Sequence, residues 1–262
     1  MITTVDVETS WQKTGTGGYD PSPFHPNNIL VSVGINDEYY FTNHSDRVDE
    51  GCYHKIQNIL DKTTLLIGHN IKFDLMWLLE SGFTYDGRVY DTMLGQYILN
   101  RGIRKSLTLE MCCRDRDIGS KDDAVKEWMD RGVSFENIPV DIVEKYGRVD
   151  VEITRKLFDA QMADFKLPNH KCLLTTAKMM NEFLIILSDM ERNGIKINLE
   201  ELAKVEKEYK AEFEYLAQKI HKIVYKQMGD TKINLSSPEQ LSWLIYSMKP
   251  KDKKQWARIF NI

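Results

Sequence analysis

Ile2-Thr3-Thr4-Val5-Asp6-Val7-Glu8-Thr9 is the stretch whose reading decides the fold. Its run of Ile, Thr and Val is β-branched, which favours a pleated, extended chain. Successive side chains of a strand leave opposite faces, so Val5 and Val7 share one side and Asp6 and Glu8 the other. A strand is therefore expected almost from the first residue. Working outward, residues 11–28 form a Gly/Pro-rich loop, long enough to be either functional or mobile. Ile29–Ile35 and Tyr39–Thr42 read as two strands joined tightly through Asn36-Asp37, a hairpin signal. A helix over about 47–61, a short buried strand Thr64–Ile67 and a helix over 71–81 follow. Arg88–Tyr90 is extended, and helices are expected near 92–99, 106–113 and 122–130. A long helix over about 139–164 opens with Pro139 near its first turn. Strands first, then strands alternating with helices, predict an α/β layered domain over about 1–165.

Lys166-Leu167-Pro168-Asn169 marks a break, and the pattern beyond it is mostly helical. Helices are expected over about 169–192 and 199–227, with a turn at Asn193-Gly194. The second carries Leu202, Val205, Tyr209, Phe213, Leu216, Ile220 and Ile223 on one seam at spacings of three and four. Ser236-Ser237-Pro238-Glu239 starts another with a capping residue and a proline in its first turn. The reading therefore divides the chain into an α/β domain over 1–167 and a helical part over 168–262.

Composition bounds the function. The 262 residues hold 35 Lys+Arg and 39 Asp+Glu, a net charge of -4, with 42% hydrophobic residues. That profile excludes collagen-like, disordered and disulfide-framework classes. An acidic chain is not the usual nucleic-acid binder, since a basic face is the normal footprint. The sum hides an asymmetry, however: residues 195–262 hold 13 Lys/Arg against 9 Asp/Glu, so residues 1–194 hold 22 against 30. Cys52, Cys112, Cys113 and Cys172 form no CxxC pair, and no zinc spacing involves the histidines, so reduced structural thiols are expected. The first residues have no basic region, and the longest apolar run considered, Phe183–Leu187, is far too short to span a bilayer. A cytoplasmic protein with no membrane partner is expected.

The informative residues are acids. Asp6 and Glu8 side by side repel each other, which calls for protonation or a cation; alone, such a pair suits a solvated strand edge as well as a metal site. In Gly68-His69-Asn70-Ile71-Lys72-Phe73-Asp74, Asn70 and Asp74 are four apart at a helix start, where Asn70 could equally be a simple cap. In Tyr146-Gly147-Arg148-Val149-Asp150, the Tyr and Asp again share one face of a helix. Together the three pieces supply Asp6, Glu8, Asp74 and Asp150 in the order strand, helix, helix. Hard ions such as Mg²⁺ prefer oxygen ligands. Two of them roughly 4 Å apart can activate water and stabilise the leaving oxygen of a phosphodiester.

Val5-Asp6-Val7-Glu8-Thr9, Gly68–Asp74 and Tyr146–Asp150 resemble the three motifs of the DEDDy group of 3′–5′ exonucleases. More narrowly, they resemble the proofreading domain of family A DNA polymerases, as does Tyr90-Asp91-Thr92-Met93-Leu94 with Tyr97-Ile98-Leu99-Asn100. Met190-Glu191-Arg192-Asn193-Gly194-Ile195-Lys196-Ile197 and Ile233–Leu241 are similar to the opening of the polymerase module, where helices build the thumb. The resemblance implies a ribonuclease H-like sheet followed by an all-helical thumb-like extension, with DNA as partner: a single-stranded 3′ end at the site and duplex near the helices. It implies two divalent ions, Mg²⁺ or Mn²⁺. Asp6, Glu8 and Asp150 would hold the one that binds the attacking water, Asp6 would bridge to the second, and Asp74 would belong to the outer shell of that second ion. Tyr146 would orient the water. Asn70 and Thr9 would contact the terminal nucleotide. The reaction implied is release of nucleoside monophosphates from DNA 3′ ends, with no synthesis expected, because no aspartate-bearing polymerase motif follows. A truncated, split-gene or fragmentary polymerase is expected, more like a phage enzyme than a cellular one. A separate palm-and-fingers chain is a candidate partner.

Two other functions compete. A ribonuclease D-type exoribonuclease shares the four acids and the tyrosine, and a non-catalytic DNA-binding or assembly subunit could keep the fold. Trp11, Tyr19 and Phe24 are candidates either to stack on unpaired bases or to anchor the loop. Lys249-Pro250-Lys251-Asp252-Lys253-Lys254 could touch phosphate or be a solvated tail. His69 is read as a packing residue near the site.

Overall fold

Thr3, Thr4, Val5 and Val7 are all buried, as residues of a strand covered on both faces must be, and Ile2–Thr9 (β1) is the central strand of a sheet. The computed structural model describes residues 1–120, 124–229 and 233–246. On one side β1 pairs antiparallel with Leu30–Ile35 (β4), and Glu38–Phe41 (β5) continues the hairpin outward. On the other side Leu65–Gly68 (β6) and then Arg88–Asp91 (β7) run parallel. The order β5-β4-β1-β6-β7 is the mixed, ribonuclease H-like sheet that the family resemblance implies. Within the 11–28 loop, Gln12–Lys13 (β2) and Tyr19–Asp20 (β3) form a small hairpin of their own.

Helices cover both faces. Cys52–Leu60 (α1) and Ile71–Glu80 (α2) bury Ile56, Leu60, Ile71, Leu75 and Leu78 with Val5 and Val7. The helix expected over 47–61 begins later because the preceding residues cap the sheet edge. Asp49 accepts the Phe41 N–H at 2.9 Å, its own N–H returns to the Phe41 carbonyl, and Gly51 then turns the chain at φ 66°. Thr92–Leu99 (α3), Leu109–Arg114 (α4) and Ala124–Asp130 (α5) lead to the 26-residue Val140–Phe165 (α6). Helix α6 crosses the face carrying Asp6 and Glu8: Val151 lies against Gly34, the ladder partner of Asp6.

The turn expected around 167/168 is a single 3-10 turn, Pro168–His170, before Lys171–Asn193 (α7). Helix α7 closes over the outer strand of the sheet: Asn181 Oδ1 accepts the Asp91 N–H at 2.7 Å, and Ala177 joins Tyr90, Phe158 and Phe165 in one cluster. The first compact unit consequently runs from Met1 to Gly194, and the second begins at Ile195.

In that second unit Leu199–Met228 (α8) is capped by the Asn198 side chain, and Pro238–Ile245 (α9) by Ser237. Val224 and Ile233 are buried, whereas Leu202, Tyr209, Phe213, Leu216, Ile220 and Ile223 of the α8 seam are exposed. The Lys249–Lys254 run lies outside the described residues. No described helix is long and apolar enough to cross a membrane.

Candidate active site

Three elements bring the sequence-predicted acids together. Asp6 is half-buried and Glu8 buried on β1; Asp74 and Asp150 are only 4% and 2% exposed on α2 and α6. Strand β6 pairs with β1 only as far as Thr4, so the backbone beyond is open along that edge. Asp74 uses this opening: its Oδ1 accepts the Val7 N–H at 3.0 Å, between Asp6 and Glu8 in the chain. Burial first, and then the Asp6 charge, push the Asp74 carboxyl well above the ordinary carboxylate range, against the pull of the Val7 N–H.

Tyr146 faces the same place from α6. Burial, and then Glu8, Asp150 and Asp6 in turn, drive its phenol far above the usual range, and it hydrogen-bonds with Asp150. A tyrosine so placed stays protonated and can donate. Glu8, Asp150 and Asp6 thus all act on one hydroxyl.

The donor set is carboxylate oxygen, the hard ligand that divalent magnesium or manganese takes. Among the described residues no group of three or more His, Cys, Asp or Glu side chains is placed so that it could hold a metal ion by itself. Mg²⁺ keeps several waters and shares its shell with substrate phosphates, so acids that form no complete cage fit it.

A cavity of about 440 Å³ opens beside Glu8. Val7, Glu8 and Thr9 form one wall, Trp11, Tyr19 and Pro21 of the loop another, with Phe73, Met129, Asp130 and Phe135 opposite. Thr9 is thus at the cavity. The loop aromatics divide: Trp11 and Tyr19 pack on each other with ring centroids 3.9 Å apart, whereas Phe24 is exposed and not part of the cavity wall.

Asn70 departs from the simple reading as a cap. It holds φ 65°, its side chain makes no cap hydrogen bond, and its N–H donates to Asp91 Oδ1 at 2.9 Å. Asp91 is the organising acid that sequence reasoning passed over. Its carboxylate accepts from Asn70, Met93 and Leu94, so it caps α3 and pins the start of α2 at once. An Asp directly before a helix is a capping signal that could have flagged it. His69 is held by Thr92 Oγ1 at 2.9 Å and the Leu107 carbonyl at 2.8 Å, a supporting position.

Buried carboxylates on a mixed sheet of this order define a class, the ribonuclease H-like nucleases. The 3′–5′ exonuclease domain of family A DNA polymerases matches residues 16–163, and the chain belongs to that 3′–5′ exonuclease family. Asp74, Tyr146 and Asp150 fall inside the matched stretch; Asp6, Glu8 and Thr9 precede it. The DNA polymerase of Bacillus phage SP01 is 28% identical over 215 residues, covering 73% of this chain and 22% of its own. DNA polymerase I of Borreliella burgdorferi is 26% identical over 192 residues, covering 73% and 20%. The chain therefore spans about a fifth of the length of these curated relatives. Among solved structures, Brucella melitensis NrnC with bound Mg²⁺ has a TM-score of 0.53 at 17% identity, covering 74% of this chain and 86% of that one. That likeness is one of fold.

Proposed function

We propose that this chain hydrolyses the last phosphodiester of a DNA 3′ end, releasing nucleoside monophosphates, as the proofreading portion of a family A DNA polymerase. The observation that carries the reading is that Glu8, Asp150 and Asp6 all act on the Tyr146 hydroxyl and Asp6 acts on Asp74, with Glu8 also lining a cavity. Asp6, Glu8 and Asp150 are the residues that would hold a divalent ion, with Asp74 at the shell of a second. Bound divalent ions would supply Lewis acidity, offsetting phosphate charge and acidifying water.

The chain's own residues do the rest. Tyr146, kept neutral by burial and then by its acidic surroundings, donates and orients rather than ionises. Thr9 stands at the cavity wall, and Trp11, Tyr19, Phe73 and Phe135 give that cavity aromatic surface. Aromatic faces stack on any base, so the cavity suits a frayed, single-stranded end without selecting its sequence. The helices beyond Ile195 are read as the start of a thumb that meets duplex DNA; the excess of Lys and Arg over Asp and Glu there supports this.

The test is release of labelled mononucleotide from single-stranded DNA and RNA of one sequence, with Mg²⁺, Mn²⁺ or EDTA. DNA should be cut from its 3′ end, and only with metal. Preference for RNA would move the chain to the exoribonuclease reading, and no metal-dependent release from either strand would remove the catalytic one.

A further inference from the structure

On the acid-bearing face of the sheet, the row beside the carboxylates is small. Asp6 stands opposite Gly34 and Glu8 opposite Ser32 across the β1–β4 ladder. One strand further out, Tyr39 stands opposite Gly34. Residues opposite one another on neighbouring strands share a face, so the Tyr39 ring has room to lie across Gly34 toward the acids. A Cβ on Gly34 would meet Tyr39 Cε2 at 3.2 Å and Val151 Cγ2 at 2.8 Å. A Cβ on Gly147 would meet Tyr39 Oη at 2.5 Å and Cζ at 2.8 Å. The ring is therefore clamped between bare backbone of β4 and bare backbone of α6, and its thickness sets how closely helix approaches sheet.

Its hydroxyl ties the same parts together. Tyr39 Oη donates to the Val143 carbonyl at 3.3 Å, which leaves Ser32 Oγ, 2.8 Å away, as the donor to Tyr39. Val143 lies one turn before Tyr146, and Gly147 directly follows it. The side chain is 5% exposed; burial, then the Glu8 charge, push its phenol well above the usual range, so it remains a neutral donor.

We propose that Tyr39 is a positioning residue of the nuclease site: its ring, wedged between Gly34 and Gly147, and its hydroxyl, joined to Ser32 and Val143, fix where α6 presents Tyr146 and Asp150 to Asp6 and Glu8. Packing alone would need only the ring. The two hydrogen bonds link the strand residue beside Glu8 to the turn of α6 before Tyr146, and such a link transmits position. The inference rests on the exonuclease reading of the site.

The test compares Tyr39→Phe, which keeps the ring and removes the hydroxyl, with Ile56→Val, a core change on the opposite face. Three quantities are read: Mn²⁺ affinity by the EPR signal of free ion, kcat and KM on a single-stranded oligonucleotide, and Tm. Tyr39→Phe should lower Mn²⁺ affinity and kcat by about three- to tenfold, the scale of one hydrogen bond, with KM unchanged. Ile56→Val should shift Tm alone. Gly147→Ala, which lifts α6 off the ring, should lower kcat by about tenfold to a hundredfold. If Tyr39→Phe behaved like Ile56→Val, Tyr39 would be a core residue and the proposal wrong. Should Tyr39→Phe not fold, Ser32→Ala breaks the same link and carries the same expectation. A wild-type protein that releases no nucleotide would end the exonuclease reading, while the Mn²⁺ titration would still decide on Tyr39.

Discussion

Asp74→Asn should make the metal-free protein more stable while removing its nuclease activity. The carboxylate is 4% exposed, accepts the Val7 N–H at 3.0 Å and faces Asp6. Burial first and Asp6 second hold its pKa above the ordinary 3.8. A carboxyl raised in this way binds its proton more tightly in the folded than in the unfolded chain. Its contribution to stability is therefore greatest below 3.8, declines as pH rises to the folded value, and leaves a fixed penalty above it. Asparagine keeps the shape, its carbonyl can still accept from Val7, and the charge is gone. The expected gain at neutral pH is about 0.5–2 kcal/mol, the usual scale for relieving a functional compromise. At about 2–4 °C per kcal/mol for a chain of this size, Tm should rise by about 1–8 °C in EDTA. The difference should shrink as pH is lowered through the folded value and vanish below 3.8, where the wild-type carboxyl is protonated in both states. Ion binding reverses the order: at a hundred times its Kd, a divalent ion adds about 2.7 kcal/mol to the wild type, and the variant, short of one acid, gains less. Melting curves from acid to neutral pH, with EDTA and with Mg²⁺, measure all of this. An Asn variant that melted below wild type in EDTA at neutral pH, or a difference independent of pH, would refute the argument that the fold disfavours the Asp74 carboxylate.

Other outcomes are expected. Asp6→Ala and Asp150→Ala should each lower metal-dependent mononucleotide release by about 10²–10³-fold, the cost of removing a charge-stabilising group from a closed site; equal rates in wild type and variants would take those acids out of catalysis. Tyr146→Phe should slow turnover about tenfold and leave Mn²⁺ affinity unchanged. Because burial and then Glu8 push the Tyr146 phenol so far up, the wild-type pH–rate profile should also show no fall from phenol ionisation near 10. A falling limb there that vanished in the Phe variant would contradict its neutral role. Trp11→Ala, which removes one stacking face from the cavity, should raise KM for single-stranded oligonucleotides about fivefold or more without lowering kcat; an unchanged KM would leave Trp11 as a loop anchor.

What could be read from the sequence follows the range of the forces involved. Local patterns sufficed for β1, because alternation and β-branching act within eight residues, and for α6, whose Pro139 and apolar spacing mark its start. The acids were legible because each sits at a fixed offset within a single element. Asn70 was only half legible: its place at the start of α2 was clear, but its partner Asp91 is 21 residues away, and that bond, not a side-chain cap, fixes its backbone. The α1 boundary shifted for the same reason, since the Asp49–Phe41 exchange competes with helix nucleation.

The Tyr39 clamp had no local signature at all. Gly34 and Gly147 are 113 residues apart, and each is an ordinary glycine in its own element. Only once β4 lies beside β1 and α6 crosses both do the two bare backbones face one ring. The same holds for charge. A net of -4 spoke against nucleic acid, yet it averaged an acid-rich unit over a basic remainder. The fold then brings Asp6, Glu8 and Asp150 to act on Tyr146, and Asp6 to act on Asp74, where bound divalent ions would cancel up to four of those charges. Which charges matter depends on which ones the topology places together, and that is a property of pairs distant in the chain.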